Sequence, residues 1–80
     1  MRSGLRKLGT VLHVSSHGYI ILKAEFFPTI DSAVLTKRMK RIGAVHDVFG
    51  PVTSPYISVK PFKNLTLANL RELRGEKVYI

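Results

Sequence analysis

A short pattern in this chain occurs twice. Leu8-Gly9-Thr10-Val11 returns thirty-four positions later as Ile42-Gly43-Ala44-Val45, and Val14 returns as Val48. Tyr19-Ile20-Ile21-Leu22-Lys23 returns as Tyr56-Ile57-Ser58-Val59-Lys60, now thirty-seven positions later. Each copy reads as strand, turn, strand, because Val, Ile, Thr and Leu favour extended backbone and alternate in direction along it. In the first copy, Ile20, Leu22 and Ala24 fall on one face and Tyr19, Ile21 and Lys23 on the other. Gly9 inside the leading strand marks a bend or a close backbone approach. Two similar hairpins in 80 residues predict an all-β domain: a small closed sheet with pseudo-twofold symmetry. Closure also removes strand edges that would otherwise template aggregation.

The rest of the chain fits around these hairpins. Residues 1–6 read as a loose basic lead-in and 7–80 as one β-barrel domain, since a chain of this length holds one domain at most. Such a domain buries only about 60% of its unfolded surface, so its stability margin is modest. Ser15-Ser16-His17-Gly18 is a turn, Phe26 and Phe27 continue extended as core-filling residues, and Pro28 stops pairing. A short strand follows near 32–35, then a basic connection over 37–41, and a final strand over 77–80. Thr66 is placed to cap a short helix with Leu67, Leu70 and Leu73 as its apolar positions and Gly75 at its end. The alternative is an irregular apolar loop over 65–73, lying across a barrel mouth.

The two hairpins differ most in their loops. The first closes in four residues, Ser15 to Gly18; its counterpart, 49–55, takes seven. That longer loop contains Gly50-Pro51 and Ser54-Pro55. Proline fixes φ and holds the preceding residue extended, so the loop is stiff. Cis bonds are a minority of about 5–6% at such positions, which makes trans the expectation for both. A stiff loop bearing Phe49, Pro51, Val52, Pro55 and Tyr56 loses little entropy on docking, which favours a protein interface. The competing reading folds Phe49 or Val52 inward to plug the barrel end.

Composition narrows the chemistry. Thirteen basic against five acidic residues give a net charge of +8, which speeds encounter with nucleic acid or an acidic surface. Lys37, Arg38, Lys40 and Arg41 are the candidates for contact with an RNA phosphate backbone, and Tyr19, Tyr56 and Phe49 for base stacking. There is no cysteine, which excludes disulfides, thiolate metal sites and cysteine catalysis. Glu72 and Glu76 are spaced to share a helix face, but flanked by Arg71, Arg74 and Lys77 they read as solvated ion pairs. His46 and Asp47 are adjacent on a strand and point to opposite faces, so they make a poor dyad. No metal-ligand spacing and no phosphate-loop glycine pattern is present. The chain reads as a non-enzyme with no cofactor, no small-molecule substrate and no membrane partner.

Arg41-Ile42-Gly43 with Asp47-Val48-Phe49-Gly50-Pro51-Val52, then Ser54-Pro55-Tyr56 and Val59-Lys60-Pro61, resembles the core domain of the Gar-type subunit of box H/ACA ribonucleoprotein particles. Leu8-Gly9-Thr10-Val11 and its hairpin fit the same domain, so the resemblance spans about 7–80. The Asp-x-Phe-Gly-Pro centre is the specific part. Eukaryotic members carry Gly/Arg-rich tails; this chain is similar to the archaeal form. The resemblance implies a six-stranded Greek-key barrel like one domain of translation elongation factors. It implies a non-catalytic subunit of the particle that converts uridine to pseudouridine at guide-selected sites during rRNA processing and ribosome biogenesis. It further implies docking on the catalytic domain of the pseudouridine synthase subunit, action on a synthase loop that closes over substrate RNA, and mostly indirect contact with guide RNA. Carried onto this chain, the interface is Asp47, Val48, Phe49, Gly50, Pro51, Val52, Ser54, Pro55 and Tyr56. Archaeal form implies a cytoplasmic location; a eukaryotic member would be nucleolar. An autonomous RNA-binding barrel of ribosomal or translation-factor type is the alternative.

Overall fold

A computed structural model describes residues 6–80. The expected lead-in therefore lies outside the described residues except for Arg6. The Arg6 N–H donates to the Ile80 carbonyl at 3.0 Å, and the Ile80 N–H donates back to the Arg6 carbonyl at 2.9 Å. The guanidinium of Arg6 stands 4.0 Å from the centre of the Phe26 ring.

Six strands and one short helix follow in order: β1 (Lys7–Val14), β2 (Ile20–Ala24), β3 (Ala33–Thr36), β4 (Arg41–Phe49), β5 (Tyr56–Pro61), α1 (Leu67–Arg71) and β6 (Lys77–Tyr79). They close into an antiparallel barrel in the order β1-β2-β5-β4-β3-β6. The β1–β2 and β4–β5 hairpins join side by side through β2 and β5, and β3 with β6 seals the far side. The all-β barrel expected from the repeat, and its short helix near the C-terminus, are what the chain forms.

The pseudo-twofold extends to the hydrogen-bond register. In the β2–β5 pairing Ile21 stands opposite Ser58, with Leu22 opposite Ile57 and Ile20 opposite Val59 on either side, so the local axis passes between Ile21 and Ser58. β1 carries a bulge between Val11 and His13, and β4 carries the same bulge between Val45 and Asp47. Gly9 pairs with Val78 as Gly43 pairs with Val34, with a register shift beside each. The axis therefore exchanges β1 with β4, β2 with β5 and β6 with β3. Even the crossings repeat: Gly75 N–H to Val11 carbonyl, and Asp31 N–H to Val45 carbonyl. Gly75 (φ 84°) and Asp31 (φ 72°) are both left-handed there.

The core obeys the same axis. Leu8 with Ile42, Val11 with Val45, Ile20 with Ile57, Leu22 with Val59 and Val34 with Val78 make five symmetry-related pairs of fully buried side chains. Each such burial is worth about 1.5–3 kcal/mol. The period-2 alternation that puts Ile20, Leu22 and Ala24 on one face ends at Ala24. Beyond it, Phe26 packs half-buried on the core but Phe27 is 50% exposed. The expectation that both phenylalanines fill the core is therefore corrected for Phe27. The Glu25 N–H is still tied to Leu8, after which the chain leaves the sheet and nothing forces alternate side chains inward.

Strand direction distributes the connections. Residues 15–19, 37–40 and 62–76 all leave from one mouth of the barrel. Residues 25–32 and 50–55, with Arg6 and Ile80, lie at the other. Symmetry is broken by the longer hairpin loop at one mouth, by a linker long enough to hold α1 at the other, and by the chain ends Arg6 and Ile80 standing where the 37–40 connection has its counterpart. Thr66 caps that helix, its Oγ1 accepting the Asn69 N–H while Asn69 Oδ1 accepts the Thr66 N–H. Leu70 is buried across the mouth while Leu67 is 53% exposed. The helix ends at Arg71, so Glu72 and Glu76 share no helix face, correcting that expectation.

Candidate interfaces at the two barrel mouths

The hairpin loop between β4 and β5 is built on one pair. Phe49 and Tyr56 are the last partners in the register, and their rings stack with centroids 5.9 Å apart and planes 27° from parallel. Gly50 makes the stack possible. Its φ of +90° is left-handed, and a Cβ there would come within 2.9 Å of Tyr56 Cδ2. Both constraints demand glycine. The Ser54 N–H then donates to the Pro51 carbonyl at 3.2 Å, closing the turn. Pro55 is buried, and its carbonyl accepts the Ala24 N–H at 2.8 Å, which ties the loop to the end of β2. Among the described residues no peptide bond is cis.

The expected interface segment thus divides by direction. Phe49 is 44% and Val52 78% exposed, and Asp47, Gly50 and Pro51 are exposed beside them. Ser54 and Tyr56 are half-buried. Val48 packs against the core and Pro55 is buried, so these two support the segment from within. Neither Phe49 nor Val52 plugs the barrel. Asp47 Oδ1 accepts the Val48 N–H at 2.9 Å, while the ring of neighbouring His46 meets Tyr19 edge-on at 4.8 Å. The same mouth exposes Phe27 and Ile30, at 50% and 48%. Sequence patterning did not single out Ile30, because a lone apolar residue in a linker carries no periodicity.

The other mouth is cationic. Its loops carry Lys37, Arg38, Lys40, Lys63, Arg71 and Arg74 against Glu72 and Glu76. At the apolar mouth the described loops carry Glu25 and Asp31 against Arg6. Two backbone bonds close the 37–40 tip: the Met39 N–H donates to the Thr36 carbonyl and the Thr36 N–H to the Lys40 carbonyl, both at 2.9 Å. Lys37, Arg38, Lys40 and Arg41 are all exposed. Among the described residues a single ion pair forms, Lys7 with Glu25 at 2.9 Å. The sequence-based pairing of Glu72 and Glu76 with Arg71 and Arg74 is thus absent from the described residues. No group of three or more His, Asp or Glu is placed to hold a metal among them either.

A family model, described as the Gar1/Naf1 RNA binding region, matches residues 5–80. The chain belongs to this family. An uncharacterised protein of Methanothermobacter thermautotrophicus is 38% identical over 76 residues, covering 95% of this chain and 83% of that protein. A second uncharacterised protein, from Methanocaldococcus jannaschii, is 34% identical over 68 residues, covering 84% of this chain and 83% of that protein. Membership of the Gar1/Naf1 family gives the chain an RNA-associated role in a non-catalytic accessory family. On this Gar1/Naf1 barrel the Asp47-to-Pro51 centre spans the end of β4 and the start of the exposed loop.

Proposed function

We propose that this chain is the accessory subunit of a box H/ACA ribonucleoprotein. It docks on the catalytic subunit of the pseudouridine synthase and assists RNA-guided pseudouridylation, and through it rRNA processing and ribosome biogenesis. In an archaeal cell this work is cytoplasmic. The supporting observation is the Phe49–Tyr56 stack held beside an outward-facing Val52 on a loop anchored from beneath. An aromatic pair already ordered before binding has little rotamer entropy left to lose. Central aromatic anchors of this kind are worth about 2 kcal/mol or more each.

The test is co-purification with the synthase of Phe49→Ala combined with Tyr56→Ala. The double variant keeps the barrel fold and loses the partner; unchanged capture refutes the docking role. An autonomous RNA-binding barrel is the second reading, and the cationic mouth is the observation in its favour. It requires tight, steeply salt-dependent binding of guide RNA by the chain alone.

A further inference from the structure

The cationic mouth contains a cleft of about 510 Å³ between the 15–18 turn and α1. His13, Ser15, Ser16, Leu67, Arg71 and Arg74 line it. The two guanidinium-bearing residues are one turn apart, fixed by the Arg74 N–H donating to the Arg71 carbonyl at 3.3 Å. Neither has a carboxylate within 4.0 Å among the described residues, despite Glu72 and Glu76 close in sequence. Ser15 Oγ accepts the Tyr19 N–H at 3.1 Å, which leaves its O–H to donate. The cleft thus gathers two unneutralised forks, two hydroxyls and an imidazole around one hollow. It exists because of broken symmetry: the linker related to 62–76 by the axis is 25–32, which is shorter and has no helix.

We propose that this cleft binds a phosphate group of an RNA backbone. Arg71 and Arg74 grip the non-bridging oxygens, since the planar fork matches phosphate in bidentate fashion. Ser15 and Ser16 donate from the facing turn. Exposed Leu67 offers an apolar ledge beside the phosphate for a ribose or base. RNA is favoured over an acidic peptide because the cations continue past the cleft. Lys37, Arg38, Lys40 and Lys63 leave from the same mouth, and cations spread over one end of the barrel suit the repeated charges of a nucleic-acid backbone. The matched family is itself described by RNA binding. The barrel then holds protein at one mouth and phosphate at the other, a direct contact added to a role otherwise mediated by the synthase.

The test is fluorescence anisotropy of the chain with a labelled single-stranded RNA across a salt series. Arg71→Ala with Arg74→Ala lowers affinity about tenfold or more and reduces the salt slope by about one to two. Lys37→Ala with Lys40→Ala removes the same charge and costs clearly less. Arg71→Lys with Arg74→Lys, which keeps charge and helix former alike, gives an intermediate loss and guards against a folding defect. Equal losses in the two charge-matched alanine pairs reduce the cleft to a diffuse field and overturn the proposal. So does an absence of binding at low salt, or competition by polyglutamate as strong as by RNA. The synthase takes no part in these measurements, so their failure leaves the docking reading standing, and failed docking leaves this proposal standing.

Discussion

Gly9 and Gly43 stand on different strands and meet the same obstacle, the carbonyl oxygen of a lysine: Lys23 for the first, Lys60 for the second. In each case a Cβ would overlap backbone that cannot swing aside. The two lysines are themselves related by the pseudo-twofold, so this close crossing of strands is one device used twice.

Replacing Gly43 with alanine therefore forces β4 and β5 apart at the crossing. Overpacking of this sort costs about 1–3 kcal/mol and more where only backbone yields. Chemical denaturation of Gly43→Ala shows a lower midpoint with an unchanged slope, and Gly9→Ala behaves alike. A loss under about 0.5 kcal/mol at either position contradicts the crossing geometry.

Gly50 and Gly18 separate backbone strain from ring contact. Both have left-handed φ, +90° and +84°, but a Cβ at Gly18 meets open space while one at Gly50 meets the Tyr56 ring. Gly18→Ala costs about 1–2 kcal/mol from conformation alone. Gly50→Ala costs more, and it also displaces Tyr56 from Phe49. Comparing the two melts, with the near-ultraviolet circular dichroism of the tyrosine as a second signal, checks the difference.

Val52 is where fold and docking come apart. At 78% exposed it has little to lose on substitution, so Val52→Asp leaves stability within about 0.5 kcal/mol. Capture of the synthase by that variant falls at least tenfold, because a carboxylate is carried into an apolar contact. A stable variant that still captures its partner moves the interface elsewhere.

Thr66 holds the N-terminus of α1 through reciprocal bonds with Asn69. Thr66→Ala removes a cap worth about 1 kcal/mol. A helix of five residues has no length to compensate, so the loss is local. Hydrogen exchange at Leu70 and Arg71 accelerates, while β1 and β4 amides keep their protection.

The hairpins were legible from residues alone because a half-buried strand writes its two faces into alternate positions. Ile20, Leu22 and Ala24 fell on one face, and the repeat announced the axis; Leu8 and Val11, three positions apart like Ile42 and Val45, share the interior against that alternation. The loop was legible for a related reason: Gly50-Pro51 and Ser54-Pro55 act through local backbone geometry, although Gly50 takes a left-handed φ of +90° where the proline rule placed it extended. The direction of each side chain in that loop was not. Pro55 turns in and Val52 out because Ala24, thirty-one residues earlier, takes the Pro55 carbonyl.

Local chemistry along the chain determined that this protein would pair strands into two like hairpins and brace the second one's loop. Only the closed sheet decided which loops would be neighbours. A barrel's strand directions follow from pairings between distant residues, and those pairings send 15–19, 37–40 and 62–76 to one mouth and 25–32 and 50–55 to the other. That sorting brought Arg71 and Arg74 to face Ser15, nearly sixty residues away in sequence, and left the apolar loop at the opposite mouth. Basic residues scattered along the chain gather at one mouth, with Met39, Phe62 and Leu67 exposed beside them, because chain closure, unlike strand propensity, is a property of the whole.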